Sequence, residues 1–447
     1  MDQKQTQDSA QGVCGVTRCK KAGRIVQDTV WGRVQLPPWL WVLVDTPTVQ
    51  RLRFLRQTGW LNLLFPCAEH SRFPHSLGVA HVAGNLLKCL AEAQPELAIT
   101  PAEAATVVVA ALCHDLGHGP FSHSFEKFMT AVGRPWCHET QTVTMVRHMV
   151  ASSPAVAAVL EAQGVDVHAV CEMVMGSPEH APDGWHWRGP PAGRQFLYQV
   201  VSNAVCGVDV DRIDYLNRDF QATGVACAAP PDAARTLGMA RVVGGDLAWP
   251  VSEAATVGQV FRARQELHRL AFQHPVARAT ELMVVQAMVA MQEAGTVVDP
   301  ETGCTLADLV GSPDTFLRGT DTVILAAMQG LCPGVPRRAA TLFRAVLTRN
   351  LWRLHSETFV GSLAEADRVV AAVAVDPPSA AVDVVNVHRG AGSVEPLKLV
   401  PWFAAAAATD DGSLEVLTRS DPKDMDCAFA VMDQGVPGFY AVRVYRE

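Results

Sequence analysis

Residues 100–123 read TPAEAATVVVAALCHDLGHGPFSH, and this stretch decides the fold. Thr100 stands where a helix N-cap belongs, Pro101 at the first helical position and Glu103 at the third, the spacing of a capping box. The apolar run 104–113 is far too short to cross a bilayer, so it predicts one buried helix of a soluble core. That helix delivers His114 and Asp115 at its far end, adjacent polar groups carried to the end of an apolar rod. Gly117, Gly119 and Pro120 then stop it, and a second short helix is expected from about Phe121.

Working outward, the chain has 447 residues and 49% hydrophobic composition, enough for a large core and two or three packed lobes. The periodicities predict a mainly α protein: a helical core over residues 24–295 and a smaller mixed α/β lobe over 296–447. Residues 1–23 are polar without an apolar period and are expected to be a disordered tail. Residues 24–36 alternate like a short strand pair, and Pro37 and Pro38 break it before a helical region. Residues 177–194, rich in Pro, Gly and Trp, predict a surface loop. Helix is expected again over residues 257–293 and 339–355, with valine-rich strands such as VDVVNV and YAVRVY in the second lobe.

The formal net charge is −8, which argues against nucleic acid as a partner. No run is long enough for a membrane span and the first residues lack a signal-peptide core, so an intracellular soluble protein, cytoplasmic or nuclear, is expected. The twelve cysteines are scattered with no CxxC, which predicts reduced thiols.

Eight of the fifteen histidines fall between His70 and His148, four of them being His114, His118, His123 and His138. His114 and Asp115 can reach one ion above the helix end, where imidazole and carboxylate without thiolate suit Zn, Fe, Mn or Mg. Such a site needs further ligands and can leave positions open for water and a phosphate oxygen. On the residues alone, those ligands stay open.

His75 in RFPHSLGV, the pair in CHDLGHGPFSH and Asp211 in GVDVDRIDYLNRD resemble the HD phosphohydrolase superfamily in order and flanks. With DTPTVQRLRFLRQTG, QPEL, FLYQVVSN, LHRLAFQH and TRNLW, the chain looks like the catalytic region of the SAM-and-HD-domain deoxynucleoside triphosphate triphosphohydrolases, from about Arg24 onward and without the SAM domain. The resemblance implies His75, His114, Asp115 and Asp211 as ligands of a divalent metal (Zn, Fe or Mn), with Mg accompanying the triphosphate. It implies water attack at the α-phosphorus, releasing deoxynucleoside and intact triphosphate. His123 would be the general acid, Glu126 its orienting carboxylate where the family has aspartate, and His118 and His138 would complete the cluster.

The resemblance further places Arg72, Arg212, Arg264 and Tyr215 at the triphosphate, Gln57 and Asp219 at the 3′ hydroxyl, and Phe272, a tyrosine in the family, against the sugar. Arg212 replaces a lysine, which keeps the charge and changes the donor geometry. It also implies a homo-oligomer, dimer or tetramer, switched on by GTP read by Asp45, Gln50 and Arg53, with Arg24, Arg349 and Arg353 near the effector phosphates. A second effector pocket looks depleted of cations at Pro250, Ser252, Leu270 and Pro275, with Gln27 for asparagine. Two rival readings share the metal site: an HD enzyme acting on another nucleotide or nucleic-acid phosphoester, and a weakly active nucleotide-binding regulator.

Overall fold

The structure is a computed structural model and describes residues 23–182, 184–225, 230–373, 380–388, 396–408, 414–417 and 438–446. The expected tail, Cys14 and Cys19 included, lies outside these residues apart from Gly23. The chain is mainly helical, as its patterning predicts.

The helix expected from the opening stretch runs Pro101–Cys113. The Thr100 hydroxyl accepts from the Glu103 N–H while the Glu103 carboxylate accepts from the Thr100 N–H, closing the capping box. Every residue from Ala105 to Cys113 is buried, so the helix is apolar on all faces and sits inside the bundle. Against it lies the long helix Arg72–Ala93, which packs on its other side against Val210–Thr223. Asp209 caps that last helix by accepting from the Arg212 N–H at 2.9 Å, and Gly224 ends it in the left-handed region. These three helices carry the principal core, which includes Leu77, Val79, Val107, Ala111, Val210 and Ile213.

The strand pair near the start is a hairpin, Ile25–Asp28 against Gly32–Gln35. The Asp28 carboxylate accepts from the Val30 and Trp31 N–H groups and ties its turn. The region expected to be helical up to 295 also contains a second hairpin, Arg241–Val243 and Asp246–Pro250, turned by Gly244 and Gly245 at φ +63° and +92°. Asp246–Pro250 pairs in parallel with Trp402–Ala408, so one sheet joins residues on both sides of position 295. The helix expected over 339–355 is shorter than read. It spans Arg337–Leu347, because Arg349 takes φ +61° and Arg353–Val360 is already a strand. That strand, Gly438–Arg446 and Ala380–His388 form a three-stranded antiparallel sheet with Gly438–Arg446 in the middle. Beyond 295 the structure also holds short helices, Pro313–Arg318 and Asp321–Met328 among them, which carry too few turns for a visible period. Among the described residues, no single helix is long and apolar enough to cross a membrane.

Candidate active site

Three elements bring four side chains to one point. The first turn of Arg72–Ala93 supplies His75, the end of Pro101–Cys113 supplies His114 and Asp115, and the first turn of Val210–Thr223 supplies Asp211. His75 Nε2 lies 3.1 Å from His114 Nε2 and 3.1 Å from Asp211 Oδ1, and His114 Nε2 lies 3.4 Å from the same oxygen. Asp115 flanks this trio, its carboxylate 3.5 Å from His114 Nε2 and 3.6 Å from His75 Nε2.

The tautomers decide what the point can hold. His114 Nδ1 is 2.9 Å from the Ala111 carbonyl, which only accepts, so a proton stands on Nδ1, and in the neutral ring that a cation requires Nε2 carries the lone pair. His75 Nδ1 is 2.7 Å from the Asp214 carboxylate and is fixed the same way. Two imidazole nitrogens, each a lone-pair donor once its ring is neutral, and a carboxylate oxygen thus face one another. Donors bound at about 2.1 Å to one ion stand roughly 3.0–3.4 Å apart in octahedral or tetrahedral geometry, the spacing found here. The donor set fits a divalent cation.

The support behind His75 was not legible from the sequence. Asp214, fully buried, also accepts from Trp31 Nε1 at 2.5 Å and from both arms of Arg218 at 2.8 and 2.9 Å, and Arg218 reaches Asp28 at 3.0 Å. The first hairpin therefore holds a histidine that belongs to another element. Gly78 makes room for this contact, since a Cβ there would lie 1.9 Å from Asp214 Oδ1. Only the Asp211–Asp214–Arg218 spacing, one helical face, hinted at it.

Beside the ion point stands the histidine cluster. His118 Nε2 is 3.1 Å from Asp115 Oδ1, and its ring stacks on His138 with centroids 4.0 Å apart. Glu126 bridges the other two histidines, 2.9 Å to His123 Nδ1 and 2.6 Å to His138 Nδ1. Glutamate thus reaches both rings. Burial opposes its ionisation, but the hydrogen bonds from His123 and His138 hold its carboxyl well below the usual range. Burial likewise opposes charge on His138, and the bond to Glu126 with the nearby carboxylates outweighs it, raising its pKa. For His118, burial and then the Arg72 guanidinium push the pKa well down, so it is neutral. Gly117 allows the close approach of this loop, for a Cβ there would sit 2.1 Å from the His138 carbonyl.

A cavity of about 890 Å³ opens on these groups. Gln57, Arg72, Tyr215, Asp219, Arg264 and Phe272 all line it, together with His75, Asp115, His118, His123, Glu126, His138 and Asp211. Arg72 is anchored at 2.5 Å on Asp115. Asp219 is held by His70 at 2.7 Å, a partner that sequence reading missed because the two are 149 residues apart. Arg212 is the exception among the expected phosphate cations: its Nη1 donates to the Gly207 carbonyl at 2.7 Å, and it is not among the lining side chains.

The expected effector residues make separate local contacts. Arg24 pairs with Asp45 at 2.7 Å, while Gln50 accepts from Arg53 at 2.7 Å and Arg53 lies over the Phe73 ring. Arg349 instead donates to the Leu63 carbonyl, and Arg353 is exposed at the start of its strand. Pro275 opens the helix Pro275–Glu293 and Pro250 closes its strand, so neither adds charge to a second pocket.

A helical bundle that presents two histidines and two aspartates around one cation point, an adjacent His–Asp pair among them, is an HD domain. Residues 72–219 match the HD domain family. The chain is 31% identical to chicken "Deoxynucleoside triphosphate triphosphohydrolase SAMHD1" over 417 residues, which cover 86% of this chain and 67% of that protein. The human protein of the same name is 30% identical, covering 86% of this chain and 66% of its own length, and the Dictyostelium discoideum homologue is 29% identical, covering 77% and 62%. The chain belongs to the HD-domain family that includes these SAMHD1 proteins. It spans about three fifths to two thirds of the length of these three relatives.

Proposed function

We propose that the chain is a metal-dependent hydrolase of deoxynucleoside triphosphates, cleaving at the α-phosphorus to give deoxynucleoside and intact triphosphate. The observation that carries this reading is the convergence of two imidazole lone pairs and a carboxylate oxygen at one wall of a cavity that Arg72, Arg264 and the histidine cluster also line. His75, His114 and Asp211, flanked by Asp115, would hold the ion, Zn, Fe or Mn, with Mg carried by the triphosphate. When bound, such an ion acidifies water and offsets phosphate charge.

The chain's own groups do the rest. Arg72, Arg264 and Tyr215 meet the triphosphate with fixed donors, and Arg212 joins them only by leaving Gly207. His123, oriented by Glu126, gives its proton to the departing 5′ oxygen. His118, neutral and stacked on His138, shapes the phosphate side of the cavity. Gln57 and Asp219 receive the 3′ hydroxyl, and Phe272 packs on the sugar face, where the missing hydroxyl weakens discrimination against ribose.

Regulation is the second part of the reading. Once the Arg24–Asp45 pair opens, Asp45 accepts from the N1 and N2 donors of guanine and Arg53 donates to O6 and N7, with Gln50 beside them and Arg24 free to turn toward the phosphates. Arg349 and Arg353 make no contact with this group, and they would serve a GTP effector across an interface, as in a homo-oligomer whose resting form is a dimer. An intracellular location, cytoplasmic or nuclear, goes with such substrates.

The test is anion-exchange analysis of products from each dNTP, with Mg or Mn, with and without GTP. Deoxynucleoside plus triphosphate, stimulated by GTP and lost in Asp115→Ala, is the expected result. Release of pyrophosphate or orthophosphate, or no product with any metal, would overturn it.

A further inference from the structure

Lys127 stands four residues after His123 on the helix His123–Ala131, so both side chains leave the same face about one turn apart, roughly 5–6 Å between Cβ atoms. Both line the cavity. From the cation point the groups follow in order: Asp115 touches His118, His118 stacks on His138 and meets His123 edge-on, and Lys127 lies one turn further on. With the α-phosphorus at the cation point and the 5′ oxygen at His123, the next parts of a nucleotide along that line are the sugar and the base. Phe272 and Gln273, then Ala277, Arg278 and Glu281 of Pro275–Glu293, form the neighbouring wall.

The donors and acceptors of this wall are unequal. Glu281 accepts from Lys127 at 2.5 Å, from Ser124 at 3.1 Å and from Arg278, so most of its acceptor capacity is taken. Arg278 is turned to Asp383, with contacts of 2.5 and 2.7 Å. Lys127 spends one ammonium proton on Glu281 and keeps a side chain 37% exposed toward the cavity, with two protons to give. The wall thus offers a cationic donor fixed in place by a buried network, with a carboxylate beside it that already accepts from three donors and the side-chain oxygen of Gln273 as its unpaired acceptor.

We infer that Lys127 selects the nucleobase, donating to the ring carbonyl that guanine (O6) and thymine or uracil (O4) present where adenine and cytosine carry an amino group. This rests on the triphosphohydrolase reading above and adds a substrate preference to it. An amino group placed against Lys127 meets donor with donor and leaves both unpaired, whereas the carbonyl gains a charge-assisted bond.

The experiment is kcat/KM for dGTP, dTTP, dATP and dCTP with the intact chain, Lys127→Met and Lys127→Arg. The wild type should favour dGTP and dTTP. Lys127→Met should lower kcat/KM for these two by about tenfold or more and leave dATP and dCTP within about twofold, while Lys127→Arg keeps the preference. Ratios between substrates do not depend on the fraction of protein folded, so a destabilised variant still gives an answer. Equal losses on all four substrates, or unchanged ratios, would overturn the assignment. Absence of wild-type turnover on every dNTP would instead remove the reading on which it rests.

Discussion

Asp214→Asn changes one buried oxygen into an amide nitrogen and removes the charge that His75, Arg218 and Trp31 share. Asp214 is fully buried and its partners lie within 2.5–2.9 Å, so no water replaces what is lost. Breaking a buried ion pair costs about 3–5 kcal/mol, and because Arg218 still has Asp28 at 3.0 Å, the lower end, about 3 kcal/mol, is expected for the metal-free protein. The metal-loaded protein should lose more. Removing the carboxylate behind a ligating histidine weakens metal binding about 10–100-fold, and at saturating metal this adds about 1.4–2.7 kcal/mol through linkage. Chelator competition gives the metal affinity directly, and denaturation with and without metal gives the two stabilities. A variant that loses stability equally in both states while its metal Kd stays within about twofold of wild type would refute the claim that Asp214 orients a ligand.

Gly78→Ala should act on the same contact from the other side, since its Cβ would fall 1.9 Å from Asp214 and 2.5 Å from Arg218, and metal affinity should drop in the same chelator assay. Glu126→Gln should change the pH dependence of stability. The raised His138 contributes below its ordinary pKa and loses that contribution as pH rises through its folded value, while the depressed Glu126 contributes above its ordinary pKa and loses it as pH falls through its own. The stability gap between wild type and variant in urea melts should therefore be widest near pH 6 and close toward alkaline pH; a gap that widens with rising pH contradicts the pairing. Arg278→Met strands Asp383, which is 6% exposed, and should destabilise the protein by about 3–5 kcal/mol in thermal melts. Stripping the metal should lower the melting temperature of wild type, and restoring Mn or Zn should recover it.

The local signals were legible. Thr100, Pro101 and Glu103 announce their helix because a cap is written within four residues, and His114 with Asp115 follows from where that helix ends. His75 and Asp211 needed the family resemblance, because adjacency in space is not adjacency in sequence. The brace from Asp28 through Arg218 to Asp214 spans 190 residues, and no period of 2 or 3.6 encodes such a link. Arg212 was assigned through the family resemblance, where it replaces a lysine, and nothing in the sequence tells that Gly207 offers its carbonyl first. The DLAWP strand ends in proline and borrows its order from Trp402, so its own residues gave no strand signal. Residues 339–355 looked like one helix because Ala339, Phe343 and Val346 keep the period; Arg349 breaks it with a backbone conformation that composition does not reveal.

The middle position of Gly438–Arg446 in its sheet sets an order of events during synthesis. A ribosome makes Arg353–Val360 and Ala380–His388 well before it makes the strand that joins them, so both wait with unpaired edges while the helical bundle assembles. Arg443 of that late strand then donates to the Gln273 carbonyl at the cavity wall, and its neighbour Asp383 clasps Arg278. The nascent bundle can thus gather His75, His114, Asp115 and Asp211 before the cavity wall around Gln273 and Arg278 is closed, and a chain stalled before residue 438 would present exposed strand edges as its first hazard, with aggregation preceding any change at the His–Asp point.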